Sequence, residues 1–339
     1  MNYKLLGRSG LKVSELCLGT MGFGTEAGWG ADKETSFAIM DTFANAGGNF
    51  LDTANVYKLG TSEKIIGEYL QNHDRNYFVV ATKYSLKDNT TNPNASGNSR
   101  KNMMRSVEES LKRLQTDFID VLYLHIWDDL TPMDEVLRGL DDLIRQGKVN
   151  YAAISDTPAW QVAKGNTMAE LMGWSQLIAL QVEYSLIQRT PERELIPMAK
   201  HFGMTVTPWA PLGGGVLSGK YLRGEQGRIK PESKRLDDRS VAITKVVVDI
   251  AEELGVSASH VALQWTRSQG FSSIPIVGAT KVSQVEENLK VIDVTLTPEQ
   301  QQKLDEVSKI DLGFPGEFFK EEGVKMNSFG GFYDRVEKR

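Results

Sequence analysis

Asp52, Tyr57, Lys83 and His125 can each give, take or stabilise a proton, and each falls at or just beyond the end of a short apolar run. A phenol with an ordinary pKa of about 10 exchanges protons slowly near neutrality unless a cation stabilises its phenolate. Lys83 supplies such a cation, Asp52 a carboxylate to hold it, and His125 a donor to orient a substrate oxygen. The chemistry this set predicts is a proton relay centred on Tyr57. Singly, each residue has a plainer role: an Asp after a strand caps helices, a loop Tyr packs, a Lys is solvated, and a His after Tyr123-Leu124 belongs to the core. Their shared position at successive run ends is what favours an enzyme with its site on one rim of a parallel barrel.

The elements that must position them are legible as alternation. Eight apolar runs recur: Leu16-Cys17-Leu18, Phe50-Leu51, Phe78-Val79-Val80, Ile119 to Leu124, Tyr151 to Ile154, Ile178 to Val182, Met204 to Val206 and Ile274 to Val277. Most are β-branched or aromatic and hardly alternate, as strands buried on both faces do. Helix signals lie between them: Asp32 before the Phe37/Met40/Phe43 stripe, Ser62 before Ile65/Ile66/Tyr69, and Thr131-Pro132 opening a helix that Gly147 closes. Strand and helix therefore alternate into an α/β fold, a (β/α)8 TIM barrel, expected as one domain over residues 1–339 with no linker dividing it. Residues 1–14 read as a hairpin plugging the N-terminal end of the barrel, and 312–339 as a C-terminal tail.

Composition sets bounds. The lone cysteine, Cys17, lies in an apolar run and reads as a buried structural thiol, compatible with a reducing compartment. A net charge of −5 with both signs interspersed makes no electrostatic case for nucleic acid. The absence of a long apolar segment or leader gives the expectation of a cytoplasmic protein without membrane contact. His73, His125, His201 and His260 lack metal-ligand spacing, so no metal is expected. Gly214 to Lys220 fits a phosphate loop, but Tyr221 stands where a hydroxyl should hold magnesium, which argues against nucleotide hydrolysis. The glycines still let backbone amides approach a phosphate. Gly22-x-Gly24 continues to Gly28 rather than to a glycine three places on, which disfavours a Rossmann fold.

The stretch Asp52-Thr53-Ala54-Asn55-Val56-Tyr57, with Gly60, Ser62-Glu63 and Gly67 following, resembles the first signature of the aldo-keto reductases. Ser110-Leu111-Lys112-Arg113-Leu114, leading through Asp117 and Ile119-Asp120 to His125, is similar to the second. Gly147-Lys148-Val149, Gln181, Pro211-Leu212 and Glu287-Asn288 extend the resemblance over residues 3 to about 310. It implies a barrel that binds NADP(H) in extended form and reduces aldehydes or ketones by hydride transfer. By the resemblance Tyr57 is the general acid, Lys83 and Asp52 tune it, and His125 positions the carbonyl. Trp209, which alone would read as a core aromatic, matches the residue stacked on the nicotinamide. Ser155 and Gln181 match the carboxamide contacts, and the loop Ala210-Pro211-Leu212-Gly213 through Gly215 matches the pyrophosphate grip.

The segment from Gly278 to Asn288 decides cofactor choice. Ser283 or Thr280 is expected to cap a helix whose N-terminal amides suit an anion, with Lys281 and Gln284 as side-chain partners. The resemblance places the adenosine 2′-phosphate there and Glu287-Asn288 against the adenine, which favours NADP over NAD. Two positions depart from the family. Lys58 follows the tyrosine where glycine is frequent, and Asp156 replaces the usual Asn after Ser155. An ionised Asp accepts from a carboxamide nitrogen but cannot donate to its oxygen. The alternative for Asp156 is to cap the helix at Pro158.

Phe23, Trp29, Tyr84 and Trp127 are candidates for the wall of the substrate pocket, loop packing being the alternative for each. The polar loop 87–98 and the aromatic tail with Phe314, Phe318, Phe319, Phe329, Phe332 and Tyr333 are candidates to cover its mouth. Nothing in the sequence names the carbonyl compound or the oligomeric state. The rival reading is an NADP-binding regulatory subunit resembling potassium-channel β subunits.

Overall fold

Strands and helices alternate along the chain in the computed structural model, which describes residues 1–26, 28–88, 91–227, 229–230 and 232–337. The order is β1 (Tyr3–Leu5), β2 (Lys12–Ser14), β3 (Cys17–Gly19), α1 (Lys33–Asn45), β4 (Phe50–Asp52), α2 (Thr61–Leu70) and β5 (Val79–Tyr84). There follow α3 (Arg100–Leu114), β6 (Ile119–Leu124), α4 (Met133–Arg145), β7 (Val149–Ser155), α5 (Ala159–Met172), β8 (Leu177–Glu183), α6 (Leu195–His201) and β9 (Thr205–Trp209). The chain ends with α7 (Asp238–Leu254), α8 (Ala258–Arg267), β10 (Ile276–Gly278), α9 (Val282–Leu289), α10 (Pro298–Ser308) and α11 (Glu322–Phe329).

β10 and β3 to β9 pair in parallel as one sheet in the order β10-β3-β4-β5-β6-β7-β8-β9. A parallel bridge between Val206 and Ser273 joins the last strand back towards the first and closes the barrel. Each of the eight apolar runs became one of these strands. β1 and β2 form the antiparallel hairpin, whose Leu6 and Val13 pack with Cys17, Ile178 and Ile274 inside the barrel. Lys4 Nζ donates to the Ser273 carbonyl and the Gly7 N–H to Thr205 Oγ1, which fixes the hairpin as a plug at the strand N-termini.

Side-chain parity decides what reaches the barrel interior, because alternate residues of a strand face opposite sides. Phe50, Val79, Ala81, Val121, Tyr123, Ala153 and Ala179 make up the inner core, whereas Leu51, Val80, Leu122, Ile154 and Leu180 pack outward beneath the helices. Extending the inner set by two residues along each strand arrives at Asp52, Lys83, His125, Ser155 and Gln181. The positions that could do chemistry are thus the inward residues at the C-terminal ends.

Among the first helices, the starts follow the sequence signals except at α2. Asp32 caps α1, its carboxylate accepting from the Thr35 N–H at 2.8 Å. Ser62 does not cap α2. Gly60 holds the cap position, and Ser62 lies buried in the first turn, donating to the Thr20 carbonyl and sharing hydrogen bonds with the Thr20 and Thr53 hydroxyls. Cys17 is fully buried, and burial pushes its thiol well above the ordinary range. Asn89 and Thr90 of the polar loop and the last two residues of the tail lie outside the described residues. Among those described, no helix is long and apolar enough to cross a membrane.

Candidate active site

Lys83 is the hub of the open end of the barrel. Its fully buried ammonium donates to Asp52 Oδ2 at 2.7 Å, to the Thr53 carbonyl at 2.7 Å and to the Tyr57 hydroxyl at 3.2 Å. Asp52 Oδ1 accepts from Gln181 Nε2 at 2.9 Å, so both carboxylate oxygens have partners. The Tyr57 and His125 rings meet edge to face with centroids 5.8 Å apart. The four residues therefore stand together, and His125 Nδ1 is buried with no protein partner among the described residues.

Burial pushes the Tyr57 phenol above its ordinary value, with the Lys83 ammonium as the largest opposing influence. The sequence leads to the expectation that the lysine prevails; in the structure desolvation does. Burial also works against the charge of Lys83, but Asp52 and Tyr57 together bring it above its usual value. His125 is pushed down to about 3 by burial and then by Lys83, so it is a neutral imidazole near neutral pH. A neutral ring beside a protonated phenol suits donation to a substrate oxygen rather than its protonation by histidine.

Behind this cluster, Glu63 of α2 is fully buried, accepting from Thr82 Oγ1 at 2.5 Å and from Arg113 Nε of α3 at 2.6 Å. This pair ties two helices to the strand segment next to Lys83. Arg113→Ala would leave the carboxylate buried without its cation and is expected to cost about 3 kcal/mol, the lower end for breaking such a pair because Arg113 keeps some solvent contact. Urea unfolding measures it, and a loss below half that value would mean that water replaces the arginine.

Past the next strands, Asp156 Oδ1 accepts from the Trp209 indole N–H at 3.1 Å. It does not cap α5, whose cap position is Pro158. Burial raises the Asp156 carboxyl above its ordinary value, the Trp209 hydrogen bond opposing this. Lys58, Leu59, Ser85, Asp156 and Ala210, all in turns just past strand ends, carry left-handed backbone. Strain of that kind persists where surrounding structure fixes it, and it clusters at functional sites.

Ala210, Pro211 and Leu212 lead into Gly213, Gly214 and Gly215, which adopt φ values of 58°, 71° and 95°. A Cβ on Gly214 would stand 2.6 Å from the Ile229 side chain, and one on Gly215 would stand 2.9 Å from Lys220 Nζ. The excursion that follows thus folds back over the glycines and lays a cation on them. Arg235, ion-paired with Glu183, lies beside Gly214 as well. The sequence points to Lys220 only as the end of a phosphate-loop pattern and does not point to Arg235. The long polar excursion after a glycine run was the available signal. Beyond Gly278, α9 begins with Lys281 at its cap position, not Ser283 or Thr280. Gln284 Oε1 reaches back to accept from the Thr280 N–H at 2.8 Å. Lys281 is exposed, and the Glu287 carboxylate pairs with Lys290 and His260, while Asn288 is buried.

The family model described as "Aldo/keto reductase family" matches residues 15–309. The chain belongs to the aldo/keto reductases. It is 38% identical over 328 residues to an aryl-alcohol dehydrogenase [NADP(+)] of Phanerodontia chrysosporium, covering 90% of this chain and 85% of the relative. It is 36% identical over 329 residues to a norsolorinic acid reductase of Aspergillus flavus, covering 94% and 83%. A probable aryl-alcohol dehydrogenase of Saccharomyces cerevisiae is 36% identical over 301 residues, covering 85% and 92%. The protein is an oxidoreductase acting on carbonyl compounds.

In this reductase the predicted pocket residues separate. Trp29 lines a cavity of about 400 Å³ together with Met21, Glu26, Val56, Tyr57, Lys58 and Leu59. Trp127 is half-buried near the site, its backbone N–H donating to the Asp156 carbonyl. Tyr84 faces away: it follows Lys83 and so has outward parity, fully buried under the helices with its hydroxyl donating to the Asn98 carbonyl. Phe23 is fully buried in the same outer core. The tail aromatics Phe314, Phe318, Phe319, Phe329 and Phe332 are exposed, and their ring contacts are with neighbours in the tail. Among the described residues no cluster of His, Cys, Asp and Glu has metal-binding geometry.

Proposed function

We propose that this protein reduces aldehydes or ketones with NADPH, and oxidises the corresponding alcohols in reverse, with Tyr57 as general acid and base. The observation that carries it is the buried chain from Gln181 through Asp52 and Lys83 to the Tyr57 hydroxyl at the open end of the barrel. When bound, the nicotinamide supplies the hydride. The chain's residues fit a dinucleotide. The left-handed glycine run under Lys220 and Arg235 suits a pyrophosphate, the Trp209 indole fixed by Asp156 offers a face for the nicotinamide, and the exposed Lys281 at the start of α9 suits a 2′-phosphate.

In reduction the neutral His125 imidazole and the Tyr57 hydroxyl both donate to the carbonyl oxygen, and the Tyr57 proton transfers as charge develops there. The phenolate left behind is held by the Lys83 ammonium. The aryl names of two relatives and the aromatic Trp29 in the pocket wall together favour aromatic carbonyl compounds. A panel of aldehydes, ketones and sugars scanned for NADPH absorbance loss, with alcohols scanned in reverse, tests the reading. No turnover of any of them would defeat it.

A hydrogen bond to a charged group is worth roughly 1.5–3 kcal/mol, so Lys281→Ala is expected to weaken NADPH binding about tenfold or more and NADH little. Cofactor fluorescence titration measures both, and equal weakening would assign Lys281 another role. Asp156→Asn keeps an acceptor for the Trp209 indole while removing the charge. It is expected to shift the ratio of NADP⁺ to NADPH dissociation constants in favour of NADPH, since unlike charges attract strongly in a partly dry site. An unchanged ratio would confine Asp156 to holding the indole.

A further inference from the structure

Lys58 and Leu59 directly follow Tyr57, and both stand in the left-handed region, at φ 51° and 55°. Two such residues in succession are disfavoured for L side chains, and they persist only where the surroundings fix them. What they achieve is to turn the Lys58 side chain inwards. Lys58 is only 8% exposed, its ammonium donates to the Trp29 carbonyl at 2.5 Å, and it sits 3.5 Å from the centroid of the Trp29 ring. Trp29 belongs to a loop closed on itself: a Cβ on Gly30 (φ 127°) would stand 2.1 Å from the Gly24 carbonyl oxygen. Trp29 remains 43% exposed and lines the same cavity as Tyr57.

We propose that Lys58 is a positioning residue: by gripping the backbone and ring face of Trp29 it sets that indole as the aromatic wall of the carbonyl pocket, and so gives the enzyme a preference for flat aromatic carbonyl substrates over short aliphatic ones. The proposal rests on Tyr57 being the proton donor. A tryptophan on a glycine-flanked loop has no helix or strand to orient its ring, and a cation over one face fixes the ring plane while leaving the rest of the indole to the substrate. An arene gains stacking contact from a fixed ring; a short alkyl chain gains little. The ammonium is not a receptor for acidic substrates. Glu26 lines the same cavity, and its carboxyl is held below the ordinary range by the Thr61 hydrogen bond first and also by the charges of Lys58 and Lys64.

The test compares kcat and KM for benzaldehyde and butanal in the wild type, Lys58→Met, Lys58→Arg, Trp29→Ala and the Lys58→Met/Trp29→Ala double variant, with NADPH affinity and thermal midpoint as folding controls. Lys58→Met keeps the stem and loses the charge. It is expected to raise KM for benzaldehyde about threefold to tenfold, with a smaller change in kcat, so that the preference for benzaldehyde over butanal falls. Trp29→Ala should do the same and the double variant no more, since both remove one wall. Lys58→Arg retains a cation over the ring and should keep the preference within about twofold. An equal loss for both aldehydes, or additive losses in the double variant, overturns the proposal while leaving the carbonyl-reductase reading in place. A wild type that reduces no carbonyl compound overturns both.

Discussion

Tyr57→Phe is expected to lower carbonyl reduction by about 10²–10⁴ while leaving NADPH affinity within about twofold, because it deletes a positioned proton donor and little else. The phenol contributes one hydroxyl to the site, 3.2 Å from Lys83 Nζ, and the ring remains to pack edge to face against His125. The lysine keeps its bonds to Asp52 and the Thr53 carbonyl in the variant, so the buried charge stays partnered and folding should be little affected. His125 cannot substitute as the acid. Pushed down to about 3, it carries no spare proton near neutrality, and donation from a neutral imidazole polarises a carbonyl without protonating it. Single-turnover kinetics with saturating NADPH isolate the chemical step, and turnover near that of the wild type would transfer the acid role to another group.

The inward placement of Asp52, Lys83 and His125 was legible in the sequence because strand parity is local. A run such as Val79-Val80-Ala81 is buried on both faces, and the rule of two then puts Lys83 on the same side as Val79 and Ala81. The same rule separates Lys83 from Tyr84, and applying it at the sequence level would have removed Tyr84 from the pocket wall. Loops are a different matter. Lys58 was visible as a departure, yet its grip on Trp29 depends on left-handed backbone at two non-glycine residues, which propensity argues against. Asp156 is similar: the structure removes the helix-cap alternative and pairs its carboxylate with an indole 53 positions away, a contact with no local signature. Glu63 and Arg113 were each read as parts of separate signatures. Their pairing is set by the packing of α2 against α3 and carries no local pattern. What escaped the sequence was therefore polar pairing made by loops and between helices, while the periodic burial that positions Asp52, Lys83 and His125 was written in it.

The second large effect is expected from Lys83→Met, which fills the space of the lysine stem and removes its charge. Asp52 is then left as a buried carboxylate with the Gln181 amide but without its cation, and breaking such a pair costs about 3–5 kcal/mol of stability. A lowered thermal midpoint is therefore expected and does not by itself argue for catalysis. The rate carries the sharper sign. Burial already holds the Tyr57 phenol above its ordinary value, and Lys83 is the largest influence in the other direction, so removing the ammonium moves the phenol further up. Alcohol oxidation begins from the phenolate, so its rate should rise with pH in the wild type and reach the same fraction of its maximum only at higher pH in the variant. Carbonyl reduction begins from the protonated phenol and needs no such deprotonation, but it loses the cation that stabilises the phenolate product. Both directions should thus slow by about 10² or more near neutrality, and by the same factor in kcat/KM, because the variant leaves the overall equilibrium unchanged. Profiles of kcat/KM against pH for a benzylic alcohol, taken on folded protein below the lowered midpoint, decide the matter. An alkaline rise at the wild-type position would leave Lys83 as a buried strut and place the tuning of Tyr57 elsewhere.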